Sequence, residues 1–281
     1  MKTGLIMEGG SMRGMFTAGV IDVMMENEIE FDGAAGVSAG AVFGCNLKSK
    51  QPGRVIRYNT AYCNNPNYAG LSLLLHTGSV FGEQLCYHDI PDYLDPFDYK
   101  TYRENPMEFH VVATDINTGG AVYRRVDRCD ENGLLWMKAS ASLPLVSKIV
   151  RVDGYELLDG GIADAVPLQY MEQLGYDRNV VILTRPLAYI KKRSRVVPMA
   201  KIVLKDYPNM IDAMAHRHEN YNANIAYIRK READGSTFVI RPPKAIAVHS
   251  VERSRRKLLE AYHMGRDTIQ KQLQELRHFL A

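Results

Sequence analysis

Short apolar runs alternate with stretches of helical periodicity along the first half of the chain. From Met15 to Met25 apolar residues recur at helical spacing, and a second helix is expected from Ala39 to Leu47. Four apolar runs have the length of buried strands: 4–7, 31–37, 109–116 and 179–184. This alternation predicts an α/β fold with a central, mainly parallel sheet and helices on both of its faces.

Two further short runs, 148–152 and 155–158, flank the dipeptide Asp153-Gly154. A type I′ turn needs positive φ at both central residues, and Asp-Gly tolerates this, so the two runs are expected to form a β-hairpin. The run 121–126 is expected to pair with the strand at 109–116.

The last third of the chain has a different composition, richer in Tyr, Lys, Arg and Met. Helical periodicity is evident from Asp212 to Arg231, and a charged amphipathic helix, interrupted near Gly265, is predicted from Ser250 to His278. We therefore divide the chain into an α/β core, 1–186, and a mostly helical C-terminal region, 187–281, that packs on or extends the core.

The overall composition sets limits on partners and location. The chain has 281 residues, of which 46% are hydrophobic and 24% charged, and its formal net charge is +3. This charge is too small to predict binding to nucleic acid. The four cysteines match no metal-binding spacing, and no apolar stretch approaches the roughly 20 residues that span a bilayer. We expect a cytoplasmic protein with reduced thiols, soluble or peripherally attached to a membrane, and neither a metal nor an organic cofactor.

The segment Gly36-Val37-Ser38-Ala39-Gly40 fits the pattern G-x-S-x-G, with an apolar run before it and helix-forming residues after it. A serine on a sharp strand-to-helix turn exposes its hydroxyl group, and small residues at Gly36 and Gly40 allow neighbouring segments to approach closely. The N-terminus of the following helix favours a nearby oxyanion. Ser38 is therefore a candidate nucleophile, with a simple tight turn as the alternative.

A glycine-rich loop, Glu8-Gly9-Gly10-Ser11-Met12-Arg13-Gly14, follows the first predicted strand. Glycines leave backbone N–H groups unshielded, so a loop of this kind can bind an anion. Its spacing matches neither the dinucleotide fingerprint G-x-G-x-x-G nor the G-K-[ST] of a P-loop. A tight turn, a phosphate or nucleotide site with Arg13 as its cation, and an oxyanion hole for acyl transfer remain open at this point.

A third segment, Leu158-Asp159-Gly160-Gly161, follows the second strand of the predicted hairpin. An aspartate at a strand end before two glycines lies on an open loop, where its carboxylate is accessible. The alternative is a turn aspartate that accepts hydrogen bonds from its own backbone.

Together the three segments resemble the patatin-like phospholipase family, in which a glycine-rich loop, G-x-S-x-G and D-G-G or D-G-A occur in this order. The resemblance covers about residues 4–185 and implies a three-layer patatin-like fold. It implies a serine acyl hydrolase, of lipase or phospholipase A type, whose substrate is a lipid or another acyl ester. Ser38 would attack the ester carbonyl and Asp159 would accept its proton, so the catalytic unit is a Ser-Asp dyad.

The same resemblance assigns roles to the glycine-rich segments. The backbone N–H groups of Gly9, Gly10 and Ser11 would form the oxyanion hole, and Arg13 would order that loop. Gly160 and Gly161 correspond to the glycines of the family's D-G-G motif.

One position departs from the family pattern, because the family usually has a third glycine where this chain has Ser11. A requirement for positive φ at this position would strain a serine. The small-residue segment 139–144 is similar to one that the family has before its aspartate. The C-terminal part resembles that of a bacterial subgroup of uncharacterised patatin-like proteins.

Two alternatives remain from the sequence. His249 follows Asp159 in the chain, so a Ser38–Asp159–His249 triad is formally possible, as in other serine esterases. A catalytically idle regulator that binds lipids or acyl groups on the same fold is the second.

A run of seven Lys and Arg residues without any acid extends from Arg185 to Lys205. Such a run is usually a solvated face, and the alternative is that it docks anionic lipid headgroups at a membrane surface.

Overall fold

The computed structural model describes all 281 residues and contains one mixed β-sheet of eight strands. The strands are β1 (Lys2–Met7), β2 (Gly33–Val37), β3 (Glu108–Asp115), β4 (Ala121–Arg125), β5 (Val150–Val152), β6 (Tyr155–Asp159), β7 (Tyr176–Ile182) and β8 (Thr237–Ile240).

Ten α-helices surround the sheet, together with a 3₁₀ turn at Ser11–Arg13 and a π-helical segment at Leu85–Leu94. The α-helices are α1 (Gly14–Glu26), α2 (Ala39–Lys48), α3 (Arg54–Tyr62), α4 (Leu71–Thr77), α5 (Tyr99–Glu104), α6 (Glu131–Ser140), α7 (Leu168–Gln173), α8 (Val197–Val203), α9 (Pro208–Ala233) and α10 (Arg255–Leu280). None of them combines the length and the apolar composition that crossing a membrane requires.

The centre of the sheet is parallel, as the sequence predicts. Hydrogen-bonded neighbours run in the order β5-β6-β3-β2-β1-β7-β8, and β4 also pairs with β3. Strands β1, β2, β3, β7 and β8 pair in parallel, whereas β4 and β6 run antiparallel to β3. Because parallel strands end at the same edge of a sheet, the loops after β1 and β2 lie side by side.

Helices cover both faces of the sheet, which gives the expected three layers. Successive side chains of a strand point to opposite faces. In β1, Leu5 and Met7 belong to the larger core, which includes side chains of α1, α2 and α10. Ile6 packs on the other face with side chains of α7 and α9.

The predicted hairpin is also confirmed. β5 and β6 pair in antiparallel fashion, and the turn residues Asp153 and Gly154 have φ values of 50° and 81°. β4 pairs with β3 as expected.

The C-terminal region contributes to the same sheet and the same core. β8 extends the sheet beside β7, and α10 packs along α1. A Cβ atom added to Gly19 or to Gly265 would lie 2.0 Å from a backbone carbonyl oxygen of the facing helix. The predicted interruption of the last helix near Gly265 is wrong, because this glycine allows close contact between two continuous helices.

Candidate active site

Ser38 lies on the sharp turn between β2 and α2. Its backbone has φ 55° and ψ −121°, a conformation that non-glycine residues adopt only under strain. The flanking glycines are required by packing: a Cβ on Gly36 would lie 2.5 Å from the carbonyl oxygen of Gly40, and one on Gly40 would lie 2.2 Å from that of Met7. The sequence therefore forces the serine into a tight turn beside the end of β1.

Strand β3 brings Asp159 next to this serine. β2 pairs with β3 as far as Val112, and β6 ends with Asp159 opposite the next residue, Ala113. β4 occupies the other edge of β3 at these positions, so β2 and β6 share one edge. The Ser38 hydroxyl group consequently donates a hydrogen bond to Oδ2 of Asp159 at 2.6 Å.

The end of α6 holds both residues in place. The backbone N–H of Ser38 donates to Oγ of Ser140 at 2.8 Å. The N–H of Asp159 donates to the carbonyl oxygen of Ser142 at 2.7 Å, and that of Gly160 donates to the carbonyl oxygen of Ser140 at 3.2 Å. The sequence resemblance identified this small-residue segment, but it did not indicate that Ser140 would contact Ser38.

The carboxyl group of Asp159 is buried, with 2% of the residue exposed. Burial raises the pKa of Asp159, and the hydrogen bond from Ser38, the charge of Arg217 and the N–H of Gly161 oppose this rise. The Gly161 N–H donates to Oδ1 at 2.8 Å. A buried carboxylate with a raised pKa accepts a proton more readily than an exposed aspartate does.

The glycine-rich loop passes directly over Ser38. A Cβ on Gly9 would lie 3.0 Å from the Cβ of Ser38, and one on Gly10 would lie 2.8 Å from Oγ1 of Thr184. The backbone N–H groups of Gly9 and Gly10 donate no hydrogen bond within the protein. Ser11 has φ 48°, so the position that departs from the family pattern is in the left-handed region and carries the expected strain.

A buried glutamate anchors this loop. Glu8 is 2% exposed, and its carboxylate accepts hydrogen bonds from the N–H of Thr184 at 2.5 Å and from the hydroxyl of Tyr221 at 2.9 Å. The loop is therefore tied to the end of β7 and to α9. The sequence contained Glu8 in the motif but offered no signal for its partners, which lie at least 176 residues away.

The side chain of Arg13 lies against the glycine-rich loop that the resemblance expects it to order. Its guanidinium lies over the loop, with one terminal nitrogen 3.3 Å from a Cβ added to Gly10. It donates no hydrogen bond to the loop, and its Nε is buried without a partner. Burial and the neighbouring charge of Arg185 lower the pKa of Arg13. The hydrogen bonds that anchor the loop are those of Glu8.

His249 forms no hydrogen bond with Ser38 or Asp159. It is exposed in the loop before α10, where its backbone N–H donates to Glu252 at 3.3 Å. Since Ser38 and Asp159 are directly hydrogen-bonded, no imidazole fits between them. The structure does not assemble the alternative triad.

The basic run from Arg185 to Lys205 is not a single solvated face. Most of its side chains are exposed, but two turn inward. The guanidinium of Arg185 stacks 4.3 Å from the ring centroid of Tyr189, and Nζ of Lys191 lies 4.2 Å from that of Tyr221. Burial, and next the charge of Arg217, lower the pKa of Lys191 to about 7.

An apolar cavity of about 150 Å³ opens beside the serine. Eighteen of its 27 lining residues are hydrophobic. Its wall includes Ser38, on the turn before α2, and Val42 on α2. The segment 81–99 contributes eight more of the lining residues. The arrangement places the Ser38 hydroxyl group at the wall of an apolar space that suits a hydrocarbon chain, with the Asp159 carboxylate hydrogen-bonded to it and the glycine-rich loop beside it.

Comparison with known proteins gives matches over both parts of the chain. A family model described as patatin-like phospholipase matches residues 5–171, and one described as a domain of unknown function, DUF6363, matches residues 207–281. An uncharacterised protein of Escherichia coli, YjjU, is 28% identical over 94% of this chain and 75% of its own length.

One further match is to a much longer protein, and another is to a solved structure. Lysophospholipase nte1 of Emericella nidulans is 28% identical over 62% of this chain, which corresponds to only 11% of that protein. Among solved structures, VipD from Legionella pneumophila aligns with a TM-score of 0.49 and 12% identity, over 98% of this chain and 67% of that one.

The patatin-like match covers more than half of the chain and contains the glycine-rich loop, Ser38 and Asp159. This chain therefore belongs to the patatin-like phospholipase family.

Proposed function

We propose that this protein is a carboxylic ester hydrolase that cleaves lipid acyl esters with a dyad of Ser38 and Asp159. The observation that carries this proposal is the 2.6 Å hydrogen bond from Ser38 Oγ to the buried carboxylate, at the wall of an apolar cavity. Membership of a family of lipid hydrolases supports it, as does the name of the fungal relative.

In the proposed reaction, Ser38 Oγ attacks the ester carbonyl carbon while the carboxylate of Asp159 accepts the hydroxyl proton. The N–H groups of Gly9 and Gly10, with that of Ser11, stabilise the negative charge that develops on the carbonyl oxygen. The ester C–O bond then breaks, and Asp159 returns the proton to the leaving alcohol. Water attacks the acyl-Ser38 ester with Asp159 again as the base, which releases the fatty acid and restores the serine.

A dyad without histidine needs an aspartate that is a better base than usual. The ordinary pKa of an aspartate is about 3.9, well below neutral pH. Burial of the Asp159 side chain raises its pKa toward the range in which general base catalysis is effective. The unpaired donors of the loop provide the second contribution to rate.

A fluorophosphonate probe tests the assignment, because it forms a stable phosphonyl ester only with an activated serine. We expect labelling of Ser38 alone, mapped by peptide mass spectrometry, and loss of labelling and ester hydrolysis in Ser38→Ala. The exposed Ser250 supplies a matched control, since Ser250→Ala should change neither. Labelling at another serine refutes the assignment, and a folded protein that binds acyl esters without labelling or turnover is the idle binding protein instead.

We further propose that the enzyme makes peripheral contact with an anionic membrane surface through residues 187–205, which we call the basic–apolar segment. Ile190 and Ile202 are 71% and 76% exposed, and Lys192 and Arg193 are exposed in the same segment. Apolar side chains of such a face enter the lipid interface, and each Lys or Arg near an anionic surface adds about 1 kcal/mol of attraction. A cytoplasmic location is part of this proposal.

Co-sedimentation with vesicles tests this contact. Reversal of Lys192, Arg193 and Arg195 to glutamate should reduce binding to anionic vesicles steeply, while hydrolysis of a water-soluble ester is retained. Lys191 is left unchanged because it faces the candidate active site. Equal sedimentation of wild type and triple variant with anionic vesicles contradicts the proposed contact.

A further inference from the structure

Four cationic side chains converge beside the glycine-rich loop, and we call them the basic cluster: Arg13, Arg185, Lys191 and Arg217. Arg217, on α9, donates from Nε to the carbonyl oxygen of Gly161 at 2.6 Å. The other three cations lie close enough to Lys191 for their repulsion to act on it. The cluster therefore borders the same loops as Ser38 and Asp159.

No carboxylate neutralises this cluster directly. None of its four side chains forms a salt bridge within 4.0 Å, whereas Arg231 on the same helix as Arg217 pairs with Glu172 at 2.7 Å. The two nearby carboxylates, Glu8 and Asp159, already accept hydrogen bonds from other groups. Three arginines beside two carboxylates leave one positive charge uncompensated, and Lys191, with a pKa of about 7, adds a second when it is protonated.

Buried donors without acceptors lie in the basic cluster and directly beside it. Nε of Arg13, Nε of Arg185 and the hydroxyl of Thr184 are buried and have no hydrogen-bond partner. Buried polar groups in this state cost free energy, and a guanidinium binds carboxylate and phosphate oxygens especially well. The surroundings thus favour a ligand that brings negative charge on several oxygen atoms.

We propose that the basic cluster binds a phosphate monoester carried by the alcohol portion of the substrate, with Lys191 and Arg217 as specificity-determining residues. This inference rests on the proposed ester hydrolysis. A phosphate monoester carries a charge of roughly −1.5 to −2 at neutral pH and three acceptor oxygens, which match the uncompensated charges and the free donors. A quaternary ammonium headgroup would need a free aromatic face, but Tyr189 and Tyr221 already pack against Arg185 and Lys191.

The position of the cluster suits a substrate of two parts. None of its side chains lines the apolar cavity, although Ser38 does. An ester placed at Ser38 can therefore extend its acyl chain into the cavity and its phosphate toward the cluster. Lys191 and Arg217 lie beyond residue 171, where the patatin-like match ends, so the C-terminal region supplies both proposed specificity-determining residues.

Two esters with one acyl chain test the proposal: 1-hexanoylglycerol 3-phosphate and 1-hexanoylglycerol. Wild type should prefer the phosphate ester by on the order of 100-fold in kcat/KM, as expected for two charge-assisted hydrogen bonds. Lys191→Gln and Arg217→Gln should each reduce this ratio by about tenfold or more. Lys230→Gln, which removes an exposed cation from α9, is the matched control and should preserve the ratio. The ratio is informative because general damage to the fold lowers both activities together.

Inorganic phosphate distinguishes the substrate's phosphate from a free anion. If the substrate's phosphate occupies the cluster, inorganic phosphate competes with the phosphate ester in wild type and competes more weakly in Lys191→Gln. A different result would be that wild type hydrolyses both esters equally, while inorganic phosphate alters its rate on the neutral ester and does not alter that of Lys191→Gln. The cluster would then bind free phosphate, and the substrate assignment would be overturned. Equal hydrolysis of both esters without any response to phosphate overturns the site altogether.

Calorimetry on Ser38→Ala separates this inference from the proposed hydrolysis. The variant should bind 1-hexanoylglycerol 3-phosphate more tightly than 1-hexanoylglycerol, and the double variant with Lys191→Gln should lose the difference. Selective binding without turnover by wild type would refute the hydrolase and retain the phosphate site. Equal binding of the two esters, together with turnover, would refute the phosphate site alone.

Discussion

The size of the apolar cavity predicts how the rate of hydrolysis depends on acyl chain length. Its volume is about 150 Å³, and an apolar cavity of that volume holds a benzene-sized ligand, or about six carbon atoms. Each methylene group moved from water into the cavity contributes up to about 0.8 kcal/mol, which corresponds to about a fourfold gain in kcat/KM. Four added methylenes, from acetate to hexanoate, should therefore raise kcat/KM by on the order of 10²-fold.

Beyond six to eight carbons, by the same volume comparison, the cavity is full and the gain should stop. The assay is release of p-nitrophenolate from p-nitrophenyl esters of two to twelve carbons, each below its micellar concentration. These esters carry no phosphate, so the basic cluster does not influence the comparison.

Substitutions that change the volume of the cavity test the same prediction. Val42 lies on α2 one turn after Ser38 and lines the cavity. Val42→Phe should lower kcat/KM for hexanoate much more than for acetate, whereas Val42→Ala should move the optimum to longer chains. A rate that rises steadily to twelve carbons, or one without any dependence on length, would show that the cavity does not hold the acyl chain.

Other substitutions test the base, the loop and a buried carboxyl group of the fold. Asp159→Asn should reduce the hydrolysis rate by about 10²–10⁴-fold. Because only the carboxylate is a base, wild-type kcat/KM should fall as pH decreases through the raised pKa of Asp159. A flat pH–rate profile between pH 4 and 9 contradicts this. Ser11→Gly should raise the free energy of unfolding by about 1 kcal/mol, because it relieves a backbone at φ 48°, and should retain activity; a lower melting temperature argues against strain at this position. Burial raises the pKa of Asp22 from 3.8 to about 6, so its protonation stabilises the fold below about pH 4, and this stability, on the order of 3 kcal/mol, is lost as pH rises through 6. Asp22→Asn should remove this contribution, so the free energy of unfolding of the variant should depend less on pH than that of wild type. Urea denaturation at pH 4.5 and 7.5 measures this dependence, and the same change in unfolding free energy for variant and wild type would contradict the shift.

Much of the local architecture could be predicted from the sequence. Short apolar runs predicted the central strands, since burial on both faces of a parallel sheet requires continuous apolar residues. The Asp153-Gly154 turn depends on the φ preferences of two residues, so it is encoded locally. The turn at Ser38 is encoded in the same way, because Gly36 and Gly40 are the residues that permit it.

The tertiary structure alone decided how these local elements meet. Ser38 and Asp159 are 121 residues apart, and their contact depends on the register of β2 and β6 along one edge of β3. The anchoring of the loop by Glu8, and the presence of Lys191 and Arg217 beside it, depend on the packing of α9 against the sheet. The sequence pattern predicts the backbone conformation and burial of a segment, because both depend mainly on residues that are close together in the chain. The convergence of charged side chains from distant segments depends on strand register and helix packing, and neither leaves a signal in the sequence around any one of them.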